Sequence, residues 1–238
     1  MSSDAFTQIT FGADGAQGHF LDAPSGSSAA VIVLQEWWGV NETIKTHARK
    51  LRDDIGVAVL VPDLYRGSVG VDVEEAHHLM SNLDWTLATK EIGEAAEELR
   101  KRGANKVGVI GFCMGGALTL IAGEKAPVDA IAPFYGYNAG ACDASAIAIP
   151  VQGHFGEKDN LTGFSDPETA KQLKEKLTRE NQEIFTYPDV GHAFMNSVPD
   201  PYPDFESRER VQGFPPLNEA TVALAWGRVE AFFRTHLL

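Results

Sequence analysis

The sequence has few cationic side chains and only two cysteines. Lys and Arg together number 20 against 33 Asp and Glu, which gives a net charge of −13. A protein with this charge repels the phosphates of nucleic acids and of anionic lipids, so we expect neither a nucleic-acid partner nor a membrane partner. Two cysteines are too few for a disulfide framework, and we therefore expect a reducing, cytoplasmic location.

Long apolar runs and a leader pattern are also missing. The longest apolar stretches, residues 29–34 and 57–61, are far shorter than the ~20 residues that a membrane-spanning helix needs. Residues 1–18 lack the cationic start and the apolar run of a secretory signal. Hydrophobic residues make up 44% of the chain, enough for a core without disulfides or a metal, and no shift in composition marks a linker. We expect one domain over residues 1–238, as a monomer or a homodimer.

Short β-branched segments alternate with segments of helical period, a pattern typical of an α/β fold with a mostly parallel sheet. Strands are predicted at residues 29–34, 57–61, 106–110, 128–134, 149–155 and 184–187, with an antiparallel edge pair near 6–11 and 18–21. Helices are predicted at residues 41–54, 84–102, 166 to about 181, and 218–237, with Asp166 and Asn218 as N-caps. Residues 196–217 hold five of the 12 prolines and no clear period, which indicates a lid, a partner surface or a mobile loop.

The most informative stretch is residues 106–120, an apolar strand followed by a Gly-x-Cys-x-Gly turn and an apolar helix. This pattern is that of a nucleophile elbow with sulfur in place of oxygen, and side chains at Gly111 and Gly115 are expected to collide with neighbouring backbone. The helix N-terminus favours the thiolate form of Cys113, and the amide of Met114 becomes an oxyanion donor. We therefore interpret Cys113 as a nucleophile rather than as a small buried side chain.

An elbow nucleophile needs an acid and a histidine later in the chain, in that order. Asp159 follows the predicted strand 149–155, and His192 follows the strand 184–187, where chemistry collects in open parallel sheets. Glu157 is the alternative acid. The other six histidines are interpreted as structural or solvated, with His47 on a helix surface.

The turn after the first buried strand holds a carboxylate and two indoles, Glu36, Trp37 and Trp38. The amide of Trp37 is a candidate second oxyanion donor. An acidic group near a thiol opposes thiolate formation when both are charged, so Glu36 is expected to act as a proton acceptor or a gate.

Two other interpretations compete with a hydrolase. The glycine-rich turn also looks like that of a dinucleotide-binding fold, but such a fold needs glycine where Cys113 stands, and Asp129 matches its expected acidic residue only poorly. A nucleotide-dependent oxidoreductase is therefore disfavoured. A redox-sensing or ligand-binding protein on the same scaffold is the stronger alternative.

Four motifs in order make the chain resemble the dienelactone hydrolase family: Gln-Glu-Trp-Trp-Gly-Val-Asn at 35–41, Val-Pro-Asp-Leu-Tyr at 61–65, Gly-Phe-Cys-Met-Gly-Gly at 111–116 and Gly-His-Ala-Phe at 191–194. The resemblance implies an α/β-hydrolase fold without a cap domain, and cleavage of carboxymethylenebutenolide-type lactones or esters without metal or cofactor. It implies Cys113 as nucleophile, His192 as base and Asp159 as orienting acid. It also implies that Glu36 helps to deprotonate the thiol when substrate displaces it, and that the Trp37 and Met114 amides form the oxyanion hole.

The sequence departs from the family where a substrate carboxylate is bound, because Asn196 stands where an arginine is usual. Trp38 and Phe194 are further candidate substrate contacts, and Trp37 and Trp38 indicate an apolar or aromatic ester. Arg66 is a possible carboxylate contact. Arg208 and Arg210 are interpreted as solvated, with replacement of the missing arginine as the alternative.

Overall fold

A computed structural model describes residues 5–24, 26–199, 201–212 and 217–238. At its centre lies a sheet of eight strands: β1 (Thr7–Phe11), β2 (Ala16–Leu21), β3 (Ala29–Leu34), β4 (Ala58–Pro62), β5 (Lys106–Phe112), β6 (Ala130–Phe134), β7 (Val151–Gly156) and β8 (Gln182–Tyr187). The order across the sheet is β1-β2-β4-β3-β5-β6-β7-β8. The pairs β1–β2 and β2–β4 are antiparallel, and the pairs from β4 to β8 are parallel. The predicted α/β fold with a mostly parallel sheet is confirmed.

The helices are α1 (Glu42–Ile55), α2 (Val73–Ser81), α3 (Trp85–Lys101), α4 (Met114–Lys125), α5 (Pro167–Lys176), α6 (Phe205–Gln212) and α7 (Glu219–Leu237). Helices α1 and α7 belong to the core layer on one face of the sheet, and α3, α4 and α5 to the layer on the other. Along β3, Ile32 faces one layer and Val33 faces the other, because successive strand residues point to opposite faces. Helices on both faces explain why the central strands are unbroken apolar runs.

The ends of the elements differ from the sequence prediction in a few places. The helix predicted to run to about residue 181 ends at Lys176, and Gln182 at the start of β8 donates to the carbonyl oxygens of Ile147 and Ile149 at 2.9 and 3.1 Å. Helices α2 and α6 are not predicted from the sequence. In α2, the apolar residues Val73, Ala76 and Leu79 recur at helical spacing, so a local signal is present there although only Ala76 is buried.

Helix caps follow the prediction with one difference. Asn218 accepts a hydrogen bond from the backbone N–H of Thr221 at the start of α7. Asp166 precedes Pro167 as predicted, but its carboxylate accepts from the N–H of Gly163 at 2.8 Å. It therefore fixes the turn before α5, whereas it makes no side-chain capping hydrogen bond at the helix start.

Two histidines are buried among aromatic rings. His47 of α1 lies 4.4 Å from Phe112 and 5.4 Å from Trp226 between ring centroids, and burial lowers the pKa of His47 to about 4. His154 of β7 stacks on Phe134 at 4.3 Å, and burial lowers the pKa of His154 to about 3. The prediction that His47 lies on a helix surface is wrong, because its side of α1 faces the sheet.

These two histidines predict a loss of stability in acid. Each takes up a proton near pH 6.5 in the unfolded chain, but in the folded protein only near pH 4 for His47 and near pH 3 for His154. The contribution of the two histidines to the free energy of unfolding is therefore fully present above about pH 6.5. As the pH falls toward the folded pKa of each histidine, that histidine lowers the free energy of unfolding by about 1.4 kcal/mol per pH unit. Urea unfolding across about pH 4 to 6.5 measures the slope. In a His154→Phe variant the slope is expected to be smaller by about 1.4 kcal/mol per unit, and an unchanged slope contradicts the prediction.

Candidate active site

Five polar residues follow the carboxyl ends of five neighbouring parallel strands. They are Glu36 after β3, Cys113 after β5, Tyr135 after β6, Asp159 after β7 and His192 after β8. Because these strands are adjacent in the sheet, their following loops meet at one edge. Cys113 is partly exposed and the other four side chains are buried.

Cys113 lies on a sharp turn between β5 and α4. Its backbone has φ of 55° and ψ of −117°, a positive-φ conformation outside the left-handed helical region that is strained for a residue with a side chain. Its N–H donates to the carbonyl oxygen of Phe134 at 3.1 Å, and its carbonyl accepts from the N–H of Ala117 at 3.2 Å. Neighbouring backbone on both sides therefore holds the turn in place.

The glycines beside Cys113 allow close approaches of backbone. A Cβ on Gly111 would lie 2.1 Å from the carbonyl oxygen of Gly115, and a Cβ on Gly115 would lie 2.6 Å from the carbonyl oxygens of Leu34 and Gln35. The predicted collisions are confirmed. The second approach also sets the start of α4 directly against the end of β3, next to Glu36.

Replacing Gly115 by alanine is expected to destabilise the protein by about 1–3 kcal/mol, because backbone rather than a movable side chain occupies the space of the new Cβ. Gly227 of α7 is the matched control. It is an exposed helical glycine with open space around its Cβ position, so Gly227→Ala is expected to be neutral or to stabilise by up to about 1 kcal/mol. Urea unfolding of both variants tests this, and equal midpoints for Gly115→Ala and the wild type contradict it.

The predicted acid and histidine are in contact. Nδ1 of His192 donates to Oδ2 of Asp159 at 2.7 Å, and Oδ1 of Asp159 accepts from the N–H of Leu161 at 3.0 Å. The Ser165 hydroxyl oxygen lies 3.1 Å from the same Nδ1. The Cys113 side chain lies near enough to the His192 imidazole to raise its pKa. The fold therefore brings Cys113, His192 and Asp159 together in a row.

His192 is a charged group at neutral pH despite its burial. Burial alone disfavours the imidazolium, but the negative charge of the Cys113 thiolate and the hydrogen bonds to Asp159 and Cys113 outweigh it. Together with the charge of Asp159, they raise the pKa of His192 to about 10.

Glu36 lies in the same buried cluster. Its Oε2 accepts from Nδ2 of Asn196 at 3.1 Å, and its Oε1 accepts from the Tyr135 hydroxyl at 3.4 Å. Burial raises the pKa of Glu36, while the hydrogen bond from Asn196 and the positive charges of His192 and Arg208 oppose that effect. Burial is the largest of these influences, so Glu36 takes up a proton more readily than an exposed carboxylate.

Arg208 of α6 reaches this cluster from the proline-rich segment. It is buried, donates from Nη1 to the backbone carbonyl of Asn196 at 3.4 Å, and stacks on the Phe205 ring at 5.0 Å. Its positive charge opposes the rise that burial causes in the pKa of Glu36. The interpretation of Arg208 as solvated is therefore wrong. Arg210 is exposed and pairs with Glu206, as expected of a solvated helix face.

The family model of the dienelactone hydrolase family matches residues 19–237. The chain belongs to this family. Its members are hydrolases of the ester and lactone class, and the eight-stranded sheet is that of an α/β-hydrolase.

Relatives of this dienelactone hydrolase family member match over most of its length. Protein usf of Aquifex pyrophilus is 28% identical over 232 residues, covering 92% of this chain and 93% of that protein. Carboxymethylenebutenolidase 1 of Cupriavidus pinatubonensis is 28% identical over 212 residues, covering 83% and 88%. A crystal structure of a dienelactone hydrolase-like promiscuous phosphotriesterase from metagenomic libraries superimposes with a TM-score of 0.78 at 23% identity, covering 98% and 100%. At that identity the likeness supports the fold alone.

The other predicted contact residues of this hydrolase lie in different surroundings. Trp37 is half-buried, whereas Trp38 is buried between Trp37 and Tyr202, at ring centroid distances of 5.0 and 5.7 Å. Phe194 is buried among aromatic rings, 5.4 Å from Tyr135, so it forms part of the core behind the site.

Arg66 is engaged by a carboxylate of the protein itself. Its guanidinium makes a two-pronged ion pair with Glu91 of α3. Both residues line a cavity of about 320 Å³ beside α3, together with Tyr65. Glu91 therefore competes with a substrate carboxylate for the guanidinium of Arg66.

Tyr135 and Ser165 also lie at the site and are not among the residues predicted from the sequence. Tyr135 follows β6 as the predicted site residues follow their strands, and its positive φ of 36° marks a second sharp turn at the same edge. Its place directly after a predicted parallel strand is the signal in the sequence that could have identified it. Ser165 lies six residues after Asp159 in a turn, and nothing in the local sequence distinguishes it from a loop serine.

Within the described ranges, no group of three His, Cys, Asp or Glu side chains is placed to bind a metal ion. No helix in the described part of the chain is long and apolar enough to cross a membrane.

Proposed function

We propose that this hydrolase cleaves a small lactone or ester with Cys113 as the nucleophile, through a thioacyl-enzyme intermediate. The observation that carries the proposal is the placing of Cys113, His192 and Asp159 together at the carboxyl edge of the sheet, with His192 hydrogen-bonded to Asp159 at 2.7 Å. Nucleophile, base and orienting acid in this arrangement are the requirements of acyl transfer.

In the first half of the reaction, the Cys113 thiolate attacks the carbonyl carbon and forms a C–S bond. The negative charge moves to the carbonyl oxygen, where the backbone amides of Met114 and Trp37 are proposed to donate hydrogen bonds. The C–O bond then breaks, and the leaving alkoxide takes the proton of the His192 imidazolium. In a lactone this alkoxide becomes a hydroxyl of the same acyl chain.

In the second half, neutral His192 removes a proton from water, and the resulting hydroxide attacks the thioester carbonyl. The C–S bond breaks, the acid product leaves, and the thiolate and imidazolium are restored. Asp159 keeps the His192 ring in the orientation that serves both proton transfers. Glu36 is the proposed proton acceptor whenever the thiol becomes protonated, and the burial that raises its pKa suits that role.

We further propose a substrate without a carboxylate group. Asn196 is neutral where the family usually has an arginine, and the one nearby cation on α6, Arg208, is buried against Asn196 and Phe205. The half-buried Trp37 offers an apolar ring instead. These features favour an apolar or aromatic ester.

The function is tested by trapping the intermediate. Rapid mixing with p-nitrophenyl acetate is expected to release one equivalent of nitrophenol per chain before the steady state, with an acetyl group on Cys113 and none on Cys142 by peptide mass spectrometry. Cys142 is the internal control, because burial raises the pKa of its thiol to about 12. A p-nitrophenyl ester that carries a carboxylate is expected to react more slowly.

Absence of Cys113 acylation across esters, lactones and thioesters contradicts the proposal. Reversible oxidation of Cys113 in that case favours the redox-sensing alternative.

A further inference from the structure

We propose that Ser165, a buried serine with no role in the reaction above, is a positioning residue that gives the Nδ1–H of His192 a second acceptor beside Asp159. The inference rests on the proposed function, in which His192 transfers protons in both halves of the reaction. It concerns the orientation of the imidazole and not the acyl transfer itself.

Two acceptors reach the same nitrogen of His192. Its Nδ1 lies 2.7 Å from Oδ2 of Asp159 and 3.1 Å from Oγ of Ser165. All three side chains are buried, and Ser165 is 0% exposed. These distances are those of one N–H shared between two acceptors, with the shorter branch on the charged acceptor.

The direction of the two hydrogen bonds follows from chemistry. An ionised carboxylate only accepts, so Nδ1 must carry a hydrogen in order to bond Asp159. A ring nitrogen that carries a hydrogen has no lone pair to offer, and the Ser165 hydroxyl oxygen can therefore only accept from it. Because Nδ1 is protonated both in the imidazolium and in the neutral ring that acts as the base, Ser165 accepts in both states.

The loop that carries Asp159 also places Ser165. The N–H of Leu161 donates to Oδ1 of Asp159 at 3.0 Å, and the carbonyl oxygen of Leu161 accepts from the N–H of Ser165 at 3.0 Å. The carbonyl oxygen of Phe164 accepts from the N–H of Tyr137 at 2.9 Å, which ties the loop to the chain after β6. Backbone hydrogen bonds thus hold both acceptors in a fixed relation to each other.

A second acceptor restricts the imidazole in a way that one acceptor does not. A ring held by a single hydrogen bond can still tilt about that bond, whereas two fixed acceptors limit the tilt. The rings of Tyr135 and Phe164 lie 5.1 and 6.5 Å from the His192 ring between centroids and leave it little other support. Orientation of a catalytic side chain by its hydrogen-bonded neighbours is a general requirement of precise proton transfer.

Other groups also act on His192 and stay constant in the test. Cys113 and Asp159 act on it by charge, and its own charge acts on Glu36. Replacement of Ser165 by alanine removes a neutral hydroxyl and alters none of these charges.

The kinetic test is Ser165→Ala in the full-length protein. Both halves of the reaction use His192, so kcat for p-nitrophenyl acetate is expected to fall by about tenfold, whichever half is slower. KM is expected to stay within about twofold, because the hydroxyl acts on the base and not on the bound ester. An unchanged kcat overturns the proposal.

Thr169→Val is the matched control for Ser165→Ala. Thr169 is a second buried hydroxyl residue next to the same loop, but its hydroxyl donates to the carboxylate of Asp166 and not to His192. Its replacement is expected to leave kcat within about twofold of the wild type. If Thr169→Val lowers kcat as much as Ser165→Ala does, the loop and not the hydrogen bond is responsible, and the proposal is overturned.

The second readout is the imidazole itself. We expect ¹⁵N NMR of the Cys113→Ala protein, in which no thiolate titrates beside the ring, to give the midpoint of His192, assigned by its loss in His192→Gln. Adding Ser165→Ala is expected to lower this midpoint by about half to one pH unit, because an imidazolium binds an acceptor more strongly than a neutral ring does. Adding Thr169→Val is expected to leave it in place, and an equal midpoint with and without Ser165 overturns the proposal.

The NMR measurement also covers a folding failure of Ser165→Ala. Ser165→Cys keeps the size of the side chain and replaces the hydroxyl by a thiol, which is a weak acceptor. In the Cys113→Ala background it is expected to shift the His192 midpoint downward as Ser165→Ala does.

A double-mutant cycle identifies the route of the effect. In Asp159→Asn the imidazole adopts the other tautomer, with a bare Nδ1 that has no hydrogen for Ser165 to accept. Adding Ser165→Ala to Asp159→Asn is therefore expected to lower kcat by less than about twofold. A further tenfold loss in the double variant overturns the proposal.

The two readouts separate this inference from the proposed function. The NMR titration needs no turnover, so a wild type that is inactive on every ester would remove the proposed function and leave the role of Ser165 decided by NMR. Acylation of Cys113 together with an unchanged kcat and an unchanged His192 midpoint in the Ser165→Ala variants would support the function and overturn the inference.

Discussion

Replacement of Cys113 by alanine is expected to lower kcat/KM for an activated ester by about 10⁴-fold or more, while the fold is retained. The proposed reaction loses its nucleophile, and only transition-state binding in the remaining site is left. The side chain is partly exposed and held by backbone contacts of the turn, so its loss leaves no large cavity. Steady-state hydrolysis of p-nitrophenyl acetate, with unfolding curves to verify the fold, measures this.

Cys142→Ala is the control for Cys113→Ala. Cys142 is buried, and its raised pKa of about 12 keeps the thiol protonated at neutral pH. Its replacement is expected to leave kcat/KM within about twofold of the wild type, because removal of a distant buried thiol changes packing and not the reaction. Retained turnover in Cys113→Ala would disprove the thioacyl mechanism whatever the behaviour of Cys142→Ala.

The second large effect is expected at Asp159. Asp159→Asn keeps the size of the side chain but removes the charge that orients the Nδ1–H of His192, now bonded at 2.7 Å. The loss in kcat is expected to be about 10⁴-fold, the scale seen when an orienting aspartate becomes an asparagine and the imidazole adopts the wrong tautomer. Initial rates at saturating ester give kcat directly.

Glu157→Gln is the matched control for the orienting acid, because Glu157 is the alternative acid predicted from the sequence and lies two residues from Asp159 on the same loop. It is exposed and accepts a hydrogen bond from Thr186 at 2.8 Å, remote from the row. Its substitution is expected to leave kcat nearly unchanged. If Glu157→Gln lowers kcat more than Asp159→Asn does, Glu157 and not Asp159 is the orienting acid.

Position 196 holds a neutral asparagine, and the cation near Glu36 is Arg208. Arg208 arrives from α6 and contacts the backbone of Asn196, not its side chain. The side chain of Asn196 donates to Glu36 instead. The site thus combines the charge of Arg208 with a neutral hydrogen bond from Asn196 to Glu36.

Much of the fold could be predicted because its signals are local. The strand β3 is predicted at its observed bounds, since six apolar residues in a row identify a strand buried on both faces. The elbow at Cys113 is predicted because its glycines are required by backbone approaches within one strand-turn-helix unit. Helix α6 has no such signal, because polar and charged residues dominate its sequence.

The sequence by itself determined the parallel sheet, the sharp turn that presents Cys113, and the order in which Cys113, Asp159 and His192 follow their strands. These follow from periodicity, glycine placement and the rule that strand ends share an edge. Only the tertiary structure decided the surroundings of Glu36, where Asn196 is 160 positions away and Tyr135 is 99 positions away. The physical reason is that such contacts form between groups desolvated together on folding, and no local pattern records which distant side chains will share a buried space.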